Sequence, residues 1–380
     1  MRTFFKQLSQ LISFTQLSKA EKSIVFYSEG KDSWIHLKGL IEEFLKTSKI
    51  HICYISSEEN DPGLNLKDPK YKAFCIGSGY MRDWLFSNIQ TNIMVMTMPD
   101  LNSFQLKQSS YNVHYVYLQH SLVSLHMAYR KGAFDYFQTI FCAGAHHVKE
   151  LRRIEQIQNL KPKNLVQHGY SRLDQIIKET PRNLRITRSL KPIKHILIAP
   201  SWGENTIIDM IGEELVSILL TDGFKVTLRP HPQTIKLSWH KVEQILKKHE
   251  ANSLFNLEVE MSSQVSLSES DLMVSDWSGA ALDYAFGLNK PVLFIDLPKK
   301  VNNYDYNELE IEPLEVSIRS KIGGILALDE LPNIATCINA LLKSYDNQKL
   351  MQLSNDTVYN LGSADSVGVQ ALEELINNNV

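Results

Sequence analysis

LMVSDWSGAALD, at residues 272–283, runs from bulky apolar residues through a short polar turn into a second apolar, alanine-rich segment. An uninterrupted apolar run suits a parallel strand covered on both faces. Ser278 is well placed as N-cap of the helix that follows. Gly279, Ala280 and Ala281 are small enough for an anion to approach the unpaired N–H groups of the first turn, where the helix dipole also favours negative charge. A capped helix packed on a sheet explains the same residues without a ligand, and on this segment alone the two readings are evenly matched.

The pattern recurs on either side. KVTL at 225–228 runs into Arg229-Pro230-His231-Pro232, HILIA at 195–199 into Pro200-Ser201-Trp202, and PVLFI at 291–295 closes the run. Further back, SIVFY (23–27), HICYI (51–55), IMVM (93–96), YVYL (115–118), TIFC (139–142) and LVQ (165–167) read as buried strands. Helical stretches separate them, such as 34–46 with Leu37, Leu40, Ile41 and Phe44 on one face. Strands alternating with helices predict parallel sheets with functional residues at the strands' carboxyl ends. The polar stretch 178–194, with Pro181, Pro192 and an excess of Arg and Lys, reads as an interdomain linker. The predicted fold class is therefore α/β, with two Rossmann-like domains facing a central cleft: 1–180, opened by an amphipathic helix, then 190–335, with helices over 336–380.

Composition narrows the function. A chain of 380 residues is a natural length for two such domains. With 43% hydrophobic and 22% charged residues it is neither disordered nor fibrous. Forty Lys and Arg against 42 Asp and Glu give a formal charge of -2, without the basic excess of a general nucleic-acid binder. Cys53, Cys75, Cys142 and Cys337 are scattered without a CxxC pair, so neither a zinc knuckle nor a disulfide framework is indicated and a cytoplasmic location fits. No apolar run reaches the roughly 18 residues of a spanning helix. Phe4, Phe5, Leu8, Leu11, Ile12 and Phe14 recur at helical spacing, but polar residues interrupt them, unlike a signal peptide. Packing on the protein body is the commoner role for such a stripe; lying in a membrane interface, helped by Arg2 and Lys6, is the sharper one.

Several residues stand where chemistry is done. Two prolines stiffen the exit from KVTL and present Arg229, a planar phosphate-binding fork, and His231, a proton donor or acceptor near neutral pH. His120 follows the YVYL strand directly. Gly169 permits a tight turn beside the linker, where Arg172 and Asp174 are placed to position a hinge or touch a ligand. His146 and His147 open a helix containing Glu150; the set is too small for zinc and reads as a solvated helix face.

Taken in order, His120, Gly169-Tyr170-Ser171-Arg172-Leu173-Asp174, Pro200-Ser201-Trp202, Arg229-Pro230-His231-Pro232 and Ser275-Asp276-Trp277-Ser278 resemble the CDP-glycerol:poly(glycerophosphate) glycerophosphotransferase family. The resemblance is good over about residues 110–300 and general before that. It implies a GT-B fold with an acceptor-side first domain and a donor-binding second. His120 falls on the histidine of the family's His-Gly-Thr motif, the proposed catalytic base, with Ser121 and Leu122 replacing glycine and threonine. His231 matches a second catalytic histidine near the donor diphosphate, with Arg229 beside it. Ser275, Asp276, Ser278, Gly279, Ser201 and Trp202 fall on donor-binding positions. Trp277 stands for a common Tyr, Gly279 for a second Ser, Ser201 for Thr and Ser171 for Pro.

The implied reaction moves glycerol phosphate, or a related polyol phosphate, from a CDP-activated donor to a hydroxyl of a lipid-linked glycan or polyol-phosphate acceptor, releasing CMP. No metal or cofactor is implied, no nucleic-acid partner is expected, and work at the inner membrane face requires a peripheral contact. Two other readings stand beside it: a GT-B glycosyltransferase using a nucleotide sugar, and an inert module that senses one.

Overall fold

The structure, a computed structural model, describes residues 2–104, 106–181, 192–260 and 264–379. The chain forms two units: Met1–Asp174 with Asn302–Ile311 and Thr357–Val380, and Gln175–Val301 with Glu312–Asp356. Most of the linker read at 178–194 lies outside the described residues; its first residues are helical, as the end of Ser171–Glu179.

In unit 1 the strands are β1 (Ile24–Ser28), β2 (Ile52–Ser56), β3 (Tyr71–Cys75), β4 (Ile93–Met96), β5 (His114–Leu118), β6 (Thr139–Cys142) and β7 (Asn164–Gln167). They form a parallel sheet in the order β3-β2-β1-β4-β5-β6-β7. Alternate residues of each strand feed opposite cores. Val25 and Tyr27 join Met94, Met96, Tyr115 and Tyr117 on one face, while Ile24 and Phe26 join Ile93, Val95, Val116 and Leu118 on the other. This is why the strands read as unbroken apolar runs rather than as alternating ones. The helix Ala364–Asn379 completes the second face, placing Val369, Leu372 and Ile376 among Trp34, Leu37 and Leu40 of the helix Lys31–Thr47.

Unit 2 carries β8 (His195–Ile198), β9 (Lys225–Leu228), β10 (Phe255–Leu257), β11 (Leu272–Ser275), β12 (Val292–Ile295) and β13 (Gly323–Leu326), again parallel, in the order β10-β9-β8-β11-β12-β13. Both sheets have the strand order of a doubly wound nucleotide-binding fold, with topological switch points between β1 and β4 and between β8 and β11.

Several expectations are revised. The helices at 336–380 are not one block: Ile334–Ser344 belongs to unit 2 and Ala364–Asn379 to unit 1. Residues 302–311 also return to unit 1, where the N–H groups of Asn302 and Asn303 donate to the Met127 carbonyl (3.0 and 3.3 Å) and Lys131 pairs with Asp305 (3.0 Å). The N-terminal stripe divides along the helix Arg2–Thr15. Leu11 and Phe14 are buried in unit 1, whereas Phe4, Phe5 and Ile12 are 54%, 61% and 47% exposed. On the face of His146, His147 and Glu150, the last two are fully buried and His146 is half-buried, so the face is not a solvated one.

Candidate functional site

In unit 2 the singled-out residues gather at the carboxyl ends of β8, β9 and β11. Asp276, only 1% exposed, is an organiser. Its Oδ1 accepts the N–H groups of Ser201 (2.7 Å) and Trp277 (2.6 Å), and its Oδ2 accepts that of Ile207 (3.0 Å). One carboxylate thus ties the loop after β8 to the turn after β11. The buried Ser275 hydroxyl donates to the Ala199 carbonyl (2.7 Å) and reinforces the same seam. Ser275 and Asp276, expected at the donor, thus bond first to the backbone of their own loops.

The helix start differs from expectation too. Gly279, not Ser278, is the N-cap of Ala280–Leu288. The Ser278 hydroxyl accepts the Ala280 N–H (3.3 Å), and the N–H groups of Ala281 and Leu282 reach the carbonyls of Ser278 (3.1 Å) and Gly279 (3.0 Å). The first turn keeps its dipole, but these donors are committed internally.

His231 is the N-cap of Pro232–His249. Its Nδ1 accepts the Gln233 N–H (3.1 Å), which makes Nε2 the protonated nitrogen of the neutral ring. The ring lies 5.9 Å from that of Trp202. Arg229 departs from its expected role. It is buried, and Nη1 binds Glu258 (2.8 Å) and faces the Ser266 hydroxyl (3.4 Å), so the fork is engaged by a carboxylate rather than offered to phosphate.

Sequence reasoning missed two cations here. Lys300 Nζ sits 4.2 Å from the centre of the Trp202 ring; burial pushes its pKa down to about 8, with Asp276 pulling the other way. The Arg319 guanidinium lies 4.2 Å over Trp277, and its Nη1 binds Asp296 (3.0 Å). The signal for Lys300 was its place just beyond PVLFI, after a strand's carboxyl end; Arg319 had none.

In unit 1, His120 leaves β5 with its ring between two tyrosines. Nδ1 is 3.0 Å from the Tyr117 hydroxyl and Nε2 3.4 Å from that of Tyr129. Burial depresses its pKa to about 4, opposed by a backbone hydrogen bond at Thr97. Tyr170 donates to the His120 carbonyl (2.9 Å). The histidine pair read as a solvated face fixes the following loop: His146 Nε2 donates to Leu122 (2.9 Å), His147 Nε2 to Val123 (2.9 Å), and Glu150 accepts the Leu125 N–H (2.6 Å). A second histidine, His36, was also missed. Its ring centre is 5.7 Å from that of His120 and it stacks on Tyr170. Burial lowers its pKa well below the usual value, and the charges of His120 and Arg172 add to this. His36 lies in an amphipathic helix whose polar positions read as surface.

Gly169 and Asp174 serve the returning C-terminus rather than a ligand. Gly169 has φ +102°, and an added Cβ would stand 2.4 Å from the Tyr359 carbonyl oxygen. Asp174 accepts the N–H groups of Gly362 (2.7 Å) and Ala364 (2.9 Å), capping the last helix. Arg172 is buried near His36. Among the described residues no group of three or more His, Cys, Asp or Glu is arranged to hold a metal.

The model of the CDP-Glycerol:Poly(glycerophosphate) glycerophosphotransferase family matches residues 12–307. The chain belongs to this family. No curated protein sequence matches it. Among solved structures, the wall teichoic acid polymerase TagF, soaked with CDPG as a His-to-Asn variant, superposes with a TM-score of 0.59 at 15% identity, covering 99% of this chain and 95% of that one. The UDP-GlcNAc 2-epimerase of Methanocaldococcus jannaschii gives 0.56 at 14% identity (92% and 99% covered), and a glycosyltransferase of Rickettsia africae 0.54 at 12% (94% and 98%). These likenesses establish the fold: the family member is a GT-B protein with two Rossmann-like units.

Proposed function

We propose that the chain transfers glycerol phosphate, or a related polyol phosphate, from a CDP-activated donor to a hydroxyl of a teichoic-acid-like polymer or cell-surface glycan, releasing CMP. The observation that carries this reading is the constellation at the β8–β11 switch point, where Asp276 locks the loop bearing Trp202 and where His231 and Lys300 border its ring. Unit 2 supplies the donor seat. Unit 1 supplies the base: His120, neutral at physiological pH because of its burial, accepts the proton of the attacking hydroxyl. The hydroxyl oxygen then bonds to the β-phosphorus as the bond to the bridging oxygen breaks, and CMP leaves with that oxygen. His231 Nε2–H and the dipole of Ala280–Leu288 stabilise the charge growing on CMP, while the Lys300 ammonium faces the phosphate being transferred.

The acceptor is lipid-linked in this reading, and contact with its membrane is peripheral. No described helix is long and apolar enough to cross a bilayer. The support for contact is the exposure of Phe4, Phe5 and Ile12 on the first helix. Full burial would stabilise binding by about 1.5–3 kcal/mol for each of them. Phe4→Ser/Phe5→Ser tests this by co-sedimentation with anionic liposomes; equal partition of variant and parent removes the contact.

A thermal-shift panel of CDP-glycerol, CDP-ribitol, CMP-sugars and UDP-sugars tests the donor. A ligand at 100 times its dissociation constant adds about 2.7 kcal/mol. Stabilisation by the CDP-polyols supports the reading; stabilisation by a nucleotide sugar alone replaces it with sugar transfer.

A further inference from the structure

We propose that Lys300, held on the face of Trp202, is the specificity-determining residue through which unit 2 recognises a diphosphate rather than a monophosphate; this rests on the donor reading above. The inference starts from which charges near the switch point are already compensated. Arg229 is paired with Glu258 and Arg319 with Asp296. The first-turn donors of Ala280–Leu288 are bonded to their own turn. Asp276 has both oxygens on backbone N–H groups. Lys300, by contrast, makes no ion pair or hydrogen bond among the described residues; its ammonium faces an aromatic ring, which accepts positive charge but does not satisfy three N–H donors.

Topology puts this ammonium where a ligand belongs. Trp202 follows β8 and Lys300 follows β12, and these strands flank β11 on either side. The lysine side chain therefore spans the turn that begins at Asp276. Its depressed pKa, about 8, has burial as its main cause, so an arriving anion would restore what desolvation removed. The indole has the ammonium 4.2 Å from its centre and the His231 imidazole 5.9 Å from it, centre to centre. Two donors bordering one ring suit two linked phosphates better than one. Asp276 is the charged group whose field acts on Lys300, and the ring it faces, Trp202, is neutral.

The test uses the full chain and calorimetric titration with CDP, UDP, CMP, UMP and cytidine, on the parent and on Lys300→Met and Lys300→Arg, each checked for parental thermal unfolding without ligand. The parent is expected to bind the preferred diphosphate at least tenfold more tightly than its monophosphate. Lys300→Met should abolish that preference while changing monophosphate affinity by less than about twofold, and Lys300→Arg should restore it. An equal loss for diphosphate and monophosphate, or no loss, overturns the proposal. Should Lys300→Met fold poorly, the milder Lys300→Gln gives the same contrast. A parent that prefers UDP to CDP contradicts the cytidine donor while the Lys300 contrast remains readable; a parent that binds no diphosphate overturns both.

Discussion

Asp276→Asn is the most informative single change, because it separates an organising carboxylate from a ligand-binding one. Three backbone N–H groups converge on this side chain, from Ser201 and Trp277 to one oxygen and from Ile207 to the other. An amide has one acceptor oxygen, so in either orientation its NH2 meets at least one N–H. The best orientation keeps the Ser201 and Trp277 bonds, without the full charge, and opposes the Ile207 N–H. Losing a hydrogen bond to a charged group costs about 1.5–3 kcal/mol, and leaving a buried donor unpaired about 1–3 kcal/mol. These overlap, so about 3 kcal/mol is the expected total. At roughly 2–4 °C per kcal/mol for a unit of this size, unit 2 should melt about 6–12 °C lower. Differential scanning calorimetry measures this, and hydrogen exchange should show the loop at 199–207 opening more often. An unchanged melting temperature with lost nucleotide binding would mean that Asp276 acts on the ligand; no change in either would refute the reasoning.

His120→Ala should lower turnover by ~10²–10⁴ while nucleotide binding survives, and near-parental turnover would remove it from the mechanism. In the parent, kcat/KM should hold between pH 7 and 5, fall toward about 4, the value to which burial brings this base, and fall again above about 8 as Lys300 loses its charge; a break near 6.5 would show that another group titrates. His168 is fully buried and neutral, its pKa depressed to about 4 by burial. Its contribution is therefore present above the unfolded value near 6.5 and lost as pH falls toward 4, about 2 kcal/mol by pH 5. Urea titrations at pH 7 and 5 should show unit 1 weakened by at least that amount, and equal stability would contradict it. Gly169→Ala should destabilise unit 1 by about 2–4 kcal/mol, from the left-handed φ and the clash with Tyr359, and parental denaturation midpoints would show that the C-terminal segment gives way easily.

The central strands were legible because both faces are buried, and such runs leave little else to read. The strands missed, β3 and β13, are sheet edges: YKAFC carries a lysine and GGIL opens with two glycines. Gly323 is there because an added Cβ would meet the Val292 backbone, a constraint visible only with β12 beside it. Position along the chain predicted which residues stand at strand ends, His120, Trp202 and His231 among them. It did not reveal which polar atoms were already committed. Arg229 looked like a phosphate fork until Glu258, 29 residues on, was seen to bind it. Asp174 looked like a hinge until the final helix arrived at its carboxylate. Lys300 and His36 were missed for the converse reason, since each acquires its environment from segments distant in the chain.

The proposed reaction breaks the bond between the two phosphates of the donor, and the nucleotide product reports that bond directly. Full-length protein incubated with CDP-glycerol and a polyol-phosphate acceptor, with the products resolved by phosphorus NMR, should yield CMP and a new phosphodiester in equal amounts, and neither with His120→Ala. Release of a nucleoside diphosphate, whether from CDP-glycerol or from a nucleotide sugar supplied in its place, would mean that the bond cut lies beyond the β-phosphorus and would contradict the account.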